Sequence, residues 1–229
     1  MFKDIPMAMN VAALFSGGKD SAFAIYMAKQ SGLNITHLIS LFPEKEDSWM
    51  FHSINIHLTE ILADGMDIPL IKKQTKGKKE KELEDLKDVL KNLEIDGVVS
   101  GAIASEYQKT RIEKICNELG IKSFTPLWGK KQEEILKEII DVGFEIIIVG
   151  VFAEGLDESW LGKKFDKKSI NELVEIRKKY LINEAGEGGE FETLVLDGPI
   201  FKKKLVLDEI SKEWKRDHGV LRVKKAHLE

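Results

Sequence analysis

The sequence predicts an α/β protein: a doubly wound parallel sheet followed by a smaller α+β C-terminal part. Three observations predict it. In the first half, short runs of valine, isoleucine and leucine alternate with helix-patterned stretches, an order that builds parallel strands joined by crossover helices. Those runs are apolar throughout, as expected where helices cover both faces of a sheet. Beyond Tyr180 the pattern changes to glycine-rich turns and hairpin-like runs.

The elements follow in order. Val11 to Ser16 reads as a buried strand, and Lys19 to Gly32 as a helix with Phe23, Ala24, Met27 and Ala28 on one face. Thr36 to Phe42 is a second strand, Ile54 to Ala63 a helix and Pro69 to Thr75 a third strand. Lys79 to Leu93 is amphipathic, with Leu83, Leu86, Leu90 and Leu93 on its apolar face. Gly97 to Ile103 reads as a fourth strand, and Ser105 to Leu119 as a helix stopped by Gly120. Then come a helix at Gln132 to Val142, a strongly apolar strand at Phe144 to Ala153, and a helix at Lys167 to Tyr180. The hairpin-like runs FKKKLVLDEI and HGVLRVKKAH close the chain, and a soft boundary falls near Phe124 to Trp128.

The bulk composition narrows the function classes. The chain has 229 residues, 43% hydrophobic, enough for one main body with a smaller attached one. It contains no apolar run of about eighteen residues, so no membrane helix is expected. MFKDIPMAMN lacks a signal-peptide pattern, so the chain is read as cytoplasmic. A net charge of −4 weighs against a large nucleic-acid footprint. The run KKQTKGKKEKELED reads as a solvated loop and helix face. The single cysteine, Cys116, excludes an internal disulfide and a two-cysteine redox pair. With Ile112, Ile115 and Leu119 it forms an apolar stripe, so it reads as a buried core thiol.

The most informative stretch is LFSGGKDSAFA, Leu14 to Ala24. An apolar strand ends, two glycines follow and a helix begins. Gly17 and Gly18 let the backbone approach an oxyanion. Amides at the helix start point at it, and the helix dipole favours negative charge. Ser16 and Ser21 add hydroxyls, and Lys19 adds a positive charge. Asp20 suits a helix cap or a Mg²⁺ ligand beside phosphates. The glycine spacing fits neither GxxxxGK[ST] nor GxGxxG. SGGKDS resembles the signature of the PP-loop ATP pyrophosphatase superfamily, whose loop holds the pyrophosphate part of ATP.

Three further stretches lie at predicted strand ends. Gly101 to Trp128 begins where the fourth strand stops, and puts Ser105, Tyr107, Gln108 and Arg111 on the first turns of a helix. Arg111 suits bidentate binding of a phosphate or carboxylate; pairing with Glu113 or Glu118 is the plainer reading. Val151 to Gly162 delivers Glu154, Asp157 and Trp160 to a strand end, although a polar loop with a packed tryptophan also accounts for them. Gly186 to Thr193, GEGGEFET, concentrates acid and glycine. Strand alternation places Glu190 and Glu192 on one face with Phe191 opposite, and Glu187 before the turn; an acidic hairpin turn is the bland alternative.

Together SGGKDS, GAIASEYQ, TPLW, AEGLDESWLG and GEGGEFET resemble the diphthine–ammonia ligases, in a short, archaeal-type form lacking the additional C-terminal domains of eukaryotic relatives. The resemblance covers nearly the whole chain, and GEGGEFET is its discriminating motif. It implies a PP-loop, adenine nucleotide alpha-hydrolase-like fold, with an ATP-binding domain over 1–124 and a substrate-binding domain over 125–229. It implies ATP-dependent amidation of diphthine on translation elongation factor two, through an acyl-adenylate, with release of AMP and pyrophosphate. ATP and Mg²⁺ are the implied cofactors, and the factor and free ammonium the implied partners; a homo-oligomer is left open. On this reading Lys19, Asp20, Glu187, Glu190 and Glu192 are catalytic, and Asp20 also holds the metal. Ser16, Gly17, Gly18, Lys19, Asp20, Ser21 and Gly101 bind the nucleotide. Ser105, Tyr107, Gln108, Arg111, Trp128, Glu154, Asp157, Gly188, Gly189 and Thr193 contact substrate. The acidic residues either take a proton from ammonium or hold the trimethylammonium group, aided by Trp128 or Trp160. Two alternatives stay open: a tRNA-modifying PP-loop enzyme, and an ATP-binding regulator without chemistry.

Overall fold

A computed structural model describes residues 9–43, 54–75 and 79–229. Residues 1–8 of the N-terminal segment read for a signal pattern, and the centre of the lysine-rich run, lie outside these residues. A five-stranded parallel sheet has the order β3-β2-β1-β4-β5, from β1 (Asn10–Leu14), β2 (Asn34–Pro43), β3 (Leu70–Thr75), β4 (Gly97–Val99) and β5 (Lys122–Phe124). The chain runs outward from β1 through β2 to β3, then returns to place β4 on the other side of β1. That reversal opens a crevice at the carboxyl ends of β1 and β4, where such sheets bind ligands.

Alternation along the strands assigns the helices to faces. Val11, Ala13, Leu38 and Val99 share a core with α1 (Lys19–Gln30) and α2 (Thr59–Met66). Ala12, Ile39, Leu41 and Val98 pack instead with α3 (Lys79–Leu90) and α4 (Glu106–Leu119). The sheet is therefore covered on both sides, as its apolar strands require. Cys116 belongs to the second core, and burial pushes its thiol up to about 11, leaving it neutral near pH 7.

A second, antiparallel sheet has the order β7-β6-β9-β8, from β6 (Glu145–Val151), β7 (Phe191–Asp197), β8 (Leu205–Lys215) and β9 (His218–Leu228). The helices α5 (Gln132–Asp141) and α6 (Lys167–Tyr180) precede and follow β6. The α1 helix lies between the two sheets. Its Phe23 and Tyr26 meet Phe144 edge-on at 6.2 and 6.0 Å, while Ala22, Ala24, Ile25 and Ala28 are also buried. Apolar residues around most of the helix reflect this double burial.

Three elements differ from expectation. The three-residue β5 escaped the sequence pattern, because so short a run carries no period. β4 stops at Val99 rather than Ile103, because the chain turns there into the crevice. The Ile54 to Ala63 stretch is a short 3₁₀ turn at Ile56–Leu58 that leads into α2. It is preceded by Asn55 in left-handed conformation, with φ of 57°.

Asn55 has a structural job that its sequence context does not announce. Its side-chain amide donates to the Leu221 carbonyl and accepts from the Val223 N–H, both at 2.9 Å and buried. The side chain thus stands in for a neighbouring strand along β9. Asn55→Ala strands two buried backbone groups and puts a Cβ-bearing residue without Asn's local bonding at positive φ. It is expected to lower stability by about 2–4 kcal/mol in a urea titration, with an unchanged slope. A loss below the error of the measurement would refute this role.

Candidate active site

The crevice is a cleft of about 370 Å³. One wall is the end of β1 and the loop into α1. Gly17 takes φ of 81°, a value glycine reaches without strain. Gly18 is the N-cap, and having no side chain it supplies no capping bond; the expected Asp20 cap is not formed. Among the described residues the Asp20 and Ser21 N–H groups donate to no protein acceptor, so they remain open at the positive end of the helix dipole. The Ser16 and Ser21 hydroxyls lie 3.2 Å apart beside them.

Two expected phosphate ligands are engaged otherwise. The Lys19 N–H donates to Thr193 Oγ1 at 3.1 Å. The Lys19 ammonium is 3% exposed, and donates to Asp20 Oδ2 at 2.8 Å and to the Ala185 carbonyl at 2.6 Å. Lys19 therefore ties α1 to the segment before GEGGEFET. Asp20 Oδ1 is buried without a hydrogen-bond partner among the described residues. One open carboxylate oxygen beside a phosphate cradle fits Mg²⁺, which takes few protein ligands and completes its shell with phosphates and water. Among the described residues, no three or more His, Cys, Asp or Glu side chains cluster to form a metal site without such phosphates.

The second wall is the turn after β4. Gly101 packs against the first turn of α1; a Cβ there would stand 2.8 Å from the Asp20 carbonyl carbon. Gln108 and Ile112 of α4 also reach the cleft. Ser105 caps α4, accepting from the Gln108 N–H. Arg111 and Tyr107 do not line the cleft; the guanidinium lies 3.6 Å from the Tyr107 ring centroid. The helix turns these two long side chains onto one another instead of toward the crevice.

The third wall is the Gly186 to Thr193 loop. Glu187 reaches across to the second wall, where its Oε1 accepts from the N–H groups of Ile103, Ala104 and Ser105 at 3.0, 2.6 and 3.0 Å. Gly188, Gly189, Phe191, Glu192 and Thr193 complete the wall. Glu190 is not part of it. β7 begins only at Phe191, after Gly189 at φ of 88°. Glu190 therefore sits in the turn, and its Oε1 accepts from the Asn183 N–H at 3.0 Å. That bond holds its carboxylate away from the cleft, which Glu192 lines without it.

The remaining residues expected at the site lie outside the cleft. Asp157 caps the 3₁₀ turn Glu158–Trp160, and the Ser159 hydroxyl and amide hold its carboxyl below the usual range. Glu154 is exposed. Trp160 is a core residue under the Lys163 ammonium at 3.9 Å, and Trp128 lies under Lys109 at 4.3 Å. Sequence reasoning missed the apolar end of the cleft, lined by Leu14, Ile39, Leu41, Ile54 and Ile56. Leu14, Ile39 and Leu41 lie in the carboxyl halves of β1 and β2, a place that core residues share, and Ile54 and Ile56 lie at the turn before α2.

A parallel sheet that opens through two glycines onto a helix, with its cleft at the reversal of strand order, defines a nucleotide-binding α/β protein of the PP-loop kind. Comparisons with known proteins are more specific. Residues 9–123 match the family described as diphthamide synthase N-terminal domain, and residues 131–228 the diphthamide synthase C-terminal domain. The diphthine–ammonia ligase of Bos taurus is 37% identical, over 87% of this chain and 83% of its own length. That of Danio rerio is 34% identical, over 96% of this chain and 97% of its own. That of Schizosaccharomyces pombe is 36% identical over 88% of this chain, but only 36% of its own length is matched. The chain belongs to the diphthine–ammonia ligase family. Additional length thus marks some eukaryotic relatives and not others.

Proposed function

We propose that this chain amidates diphthine to diphthamide on translation elongation factor two, as an ATP-dependent ligase that forms a C–N bond. The observation that carries the reading is a single cleft in which open amides at the start of α1 face the Gly186 to Thr193 loop. ATP supplies the activation: a substrate carboxylate oxygen bonds to the α-phosphorus, pyrophosphate leaves, and ammonia then displaces AMP from the acyl carbon.

The chain's own residues do the rest. The Asp20 and Ser21 amides, with the Ser16 and Ser21 hydroxyls, hold the departing pyrophosphate oxygens. Asp20 Oδ1 would hold Mg²⁺, which would offset phosphate charge. The apolar end of the cleft at Leu14, Ile39 and Leu41 takes the base. Ammonium has no free electron pair until it loses a proton, and Glu192 is the carboxylate assigned to receive it. Lys19 and Glu187 act as ties that keep the acidic loop against the nucleotide loop.

The test is incubation with ATP, ammonium and diphthine-bearing elongation factor. Mass spectrometry is expected to show acid converted to amide, with one AMP released per amide. Asp20→Ala is expected to lower AMP release at least about a hundredfold. Full turnover by that variant would remove the triphosphate from this end of the sheet.

A further inference from the structure

We infer that Phe152, which none of the motifs singled out, is the aromatic platform for the trimethylammonium group of the substrate; this rests on the diphthine reading above. The case starts from strand register. β6 and β7 are antiparallel, with Gly150 opposite Glu192 and Val151 opposite Phe191. The Phe152 N–H donates to the Glu190 carbonyl at 2.8 Å, so pairing continues one step past the end of β6. Opposed residues on paired strands share a face, as do residues two apart on one strand. Phe152, Gly150 and Glu192 therefore lie on the same face.

Gly150 leaves that face bare, and the Phe152 ring occupies it. Its Cε2 and Cζ stand 2.8 and 3.1 Å from where a Cβ of residue 150 would be, with Ile54 Cδ1 at 3.0 Å. Ile54 and Glu192 both line the cleft; Phe152 is not part of that lining, but its ring lies beside Ile54 over Gly150, on the same face as Glu192. The His218 ring stacks on Phe152 at 6.5 Å and 25°. Even so packed, Phe152 is 41% exposed. Trp128 and Trp160, the aromatics the sequence suggested for this task, each already carry a lysine ammonium.

The chemistry of the group matches this corner. A quaternary ammonium has no N–H, so hydrogen bonds cannot hold it; an aromatic face and nearby negative charge can. In diphthine the quaternary nitrogen is borne by the carbon next to the reacting carboxyl. Its platform must therefore adjoin the wall at which ammonia attacks, which is where the Glu192 face puts Phe152.

Phe152→Leu keeps the apolar bulk and removes the π face. It is expected to raise KM for diphthine-bearing factor about five- to tenfold, with kcat within about twofold and KM for ATP unchanged. Phe152→Trp is expected to keep KM near the wild-type value. Tetramethylammonium chloride should compete with the factor in the wild type and much less in the leucine variant, against sodium chloride as control. Equal KM for leucine variant and wild type, or equal impairment by leucine and tryptophan, would overturn the assignment. If the wild type forms no amide, the diphthine reading falls instead. A tetramethylammonium titration followed by NMR, wild type against Phe152→Leu, then still decides on Phe152: equal shifts reject it.

Discussion

Gly101→Ala is expected to lower ATP affinity at least about a hundredfold and stability by about 1–3 kcal/mol. The added carbon falls 2.8 Å from the Asp20 carbonyl carbon and 2.9 Å from both the Asp20 oxygen and the Ser21 nitrogen. All three are backbone atoms at the start of α1, so no side chain can swing aside to make room. Either the turn after β4 or the start of α1 has to move. The Ser21 N–H is one of the two amides left open in the cradle, and the new methyl group would also cover it. The two losses are separable: thermal unfolding reads the first, and calorimetric titration with ATP the second. An alanine variant that binds ATP like the wild type would show that the cradle is not where the phosphates sit.

Glu187 is the second site of large expected effect. One carboxylate oxygen serves three consecutive N–H groups at the entrance to α4. Hydrogen bonds to an ionised acceptor are about twice as strong as neutral ones, and the positive end of the helix dipole adds to them. Glu187→Ala removes the only side-chain tie from the acidic loop to the second wall among the described contacts. It is expected to cut kcat/KM for amide formation about a hundredfold and to speed hydrogen exchange at 183–190. Glu187→Gln retains an oxygen acceptor and is expected to recover most of the loss, with an unmoved pH–rate profile. A general base would behave differently, since glutamine cannot take a proton. If glutamine proves as damaging as alanine and the basic limb of the profile shifts, Glu187 is part of the chemistry rather than a tie.

What the sequence disclosed depended on how local each feature is. The passage from an apolar strand through Gly17 and Gly18 to a helix is contiguous, and the sequence marks it as the first strand-to-helix turn of a doubly wound sheet, as observed. α6 was found at its observed bounds because Asp166 and Ser169 cap it reciprocally and its apolar period is regular. The choice of wall-forming side chains was less legible, because it depends on partners far along the chain. Glu187 meets its amides more than eighty positions away, and Lys19 finds the Ala185 carbonyl at a separation of 166. No spacing rule reveals such contacts. Glu190 departs from its expected place for a different reason: its carboxylate accepts the Asn183 N–H, a local partner that strand alternation does not reveal, and it does not line the cleft with Glu192. Arg111 was placed in the crevice by helix position alone, whereas its guanidinium rests on Tyr107.

The sandwiching of α1 between the sheets has a consequence for how this chain can be divided. Thr193 holds the Lys19 amide, and the Val195 N–H donates to the Gly17 carbonyl at 2.9 Å. The nucleotide loop is therefore braced by a strand that the ribosome delivers some 170 residues later. Until that strand arrives, the nascent first half has the glycines but not the buttress that sets their shape. A severed N-terminal fragment is expected to keep the signature and lose the shape that these bonds give it.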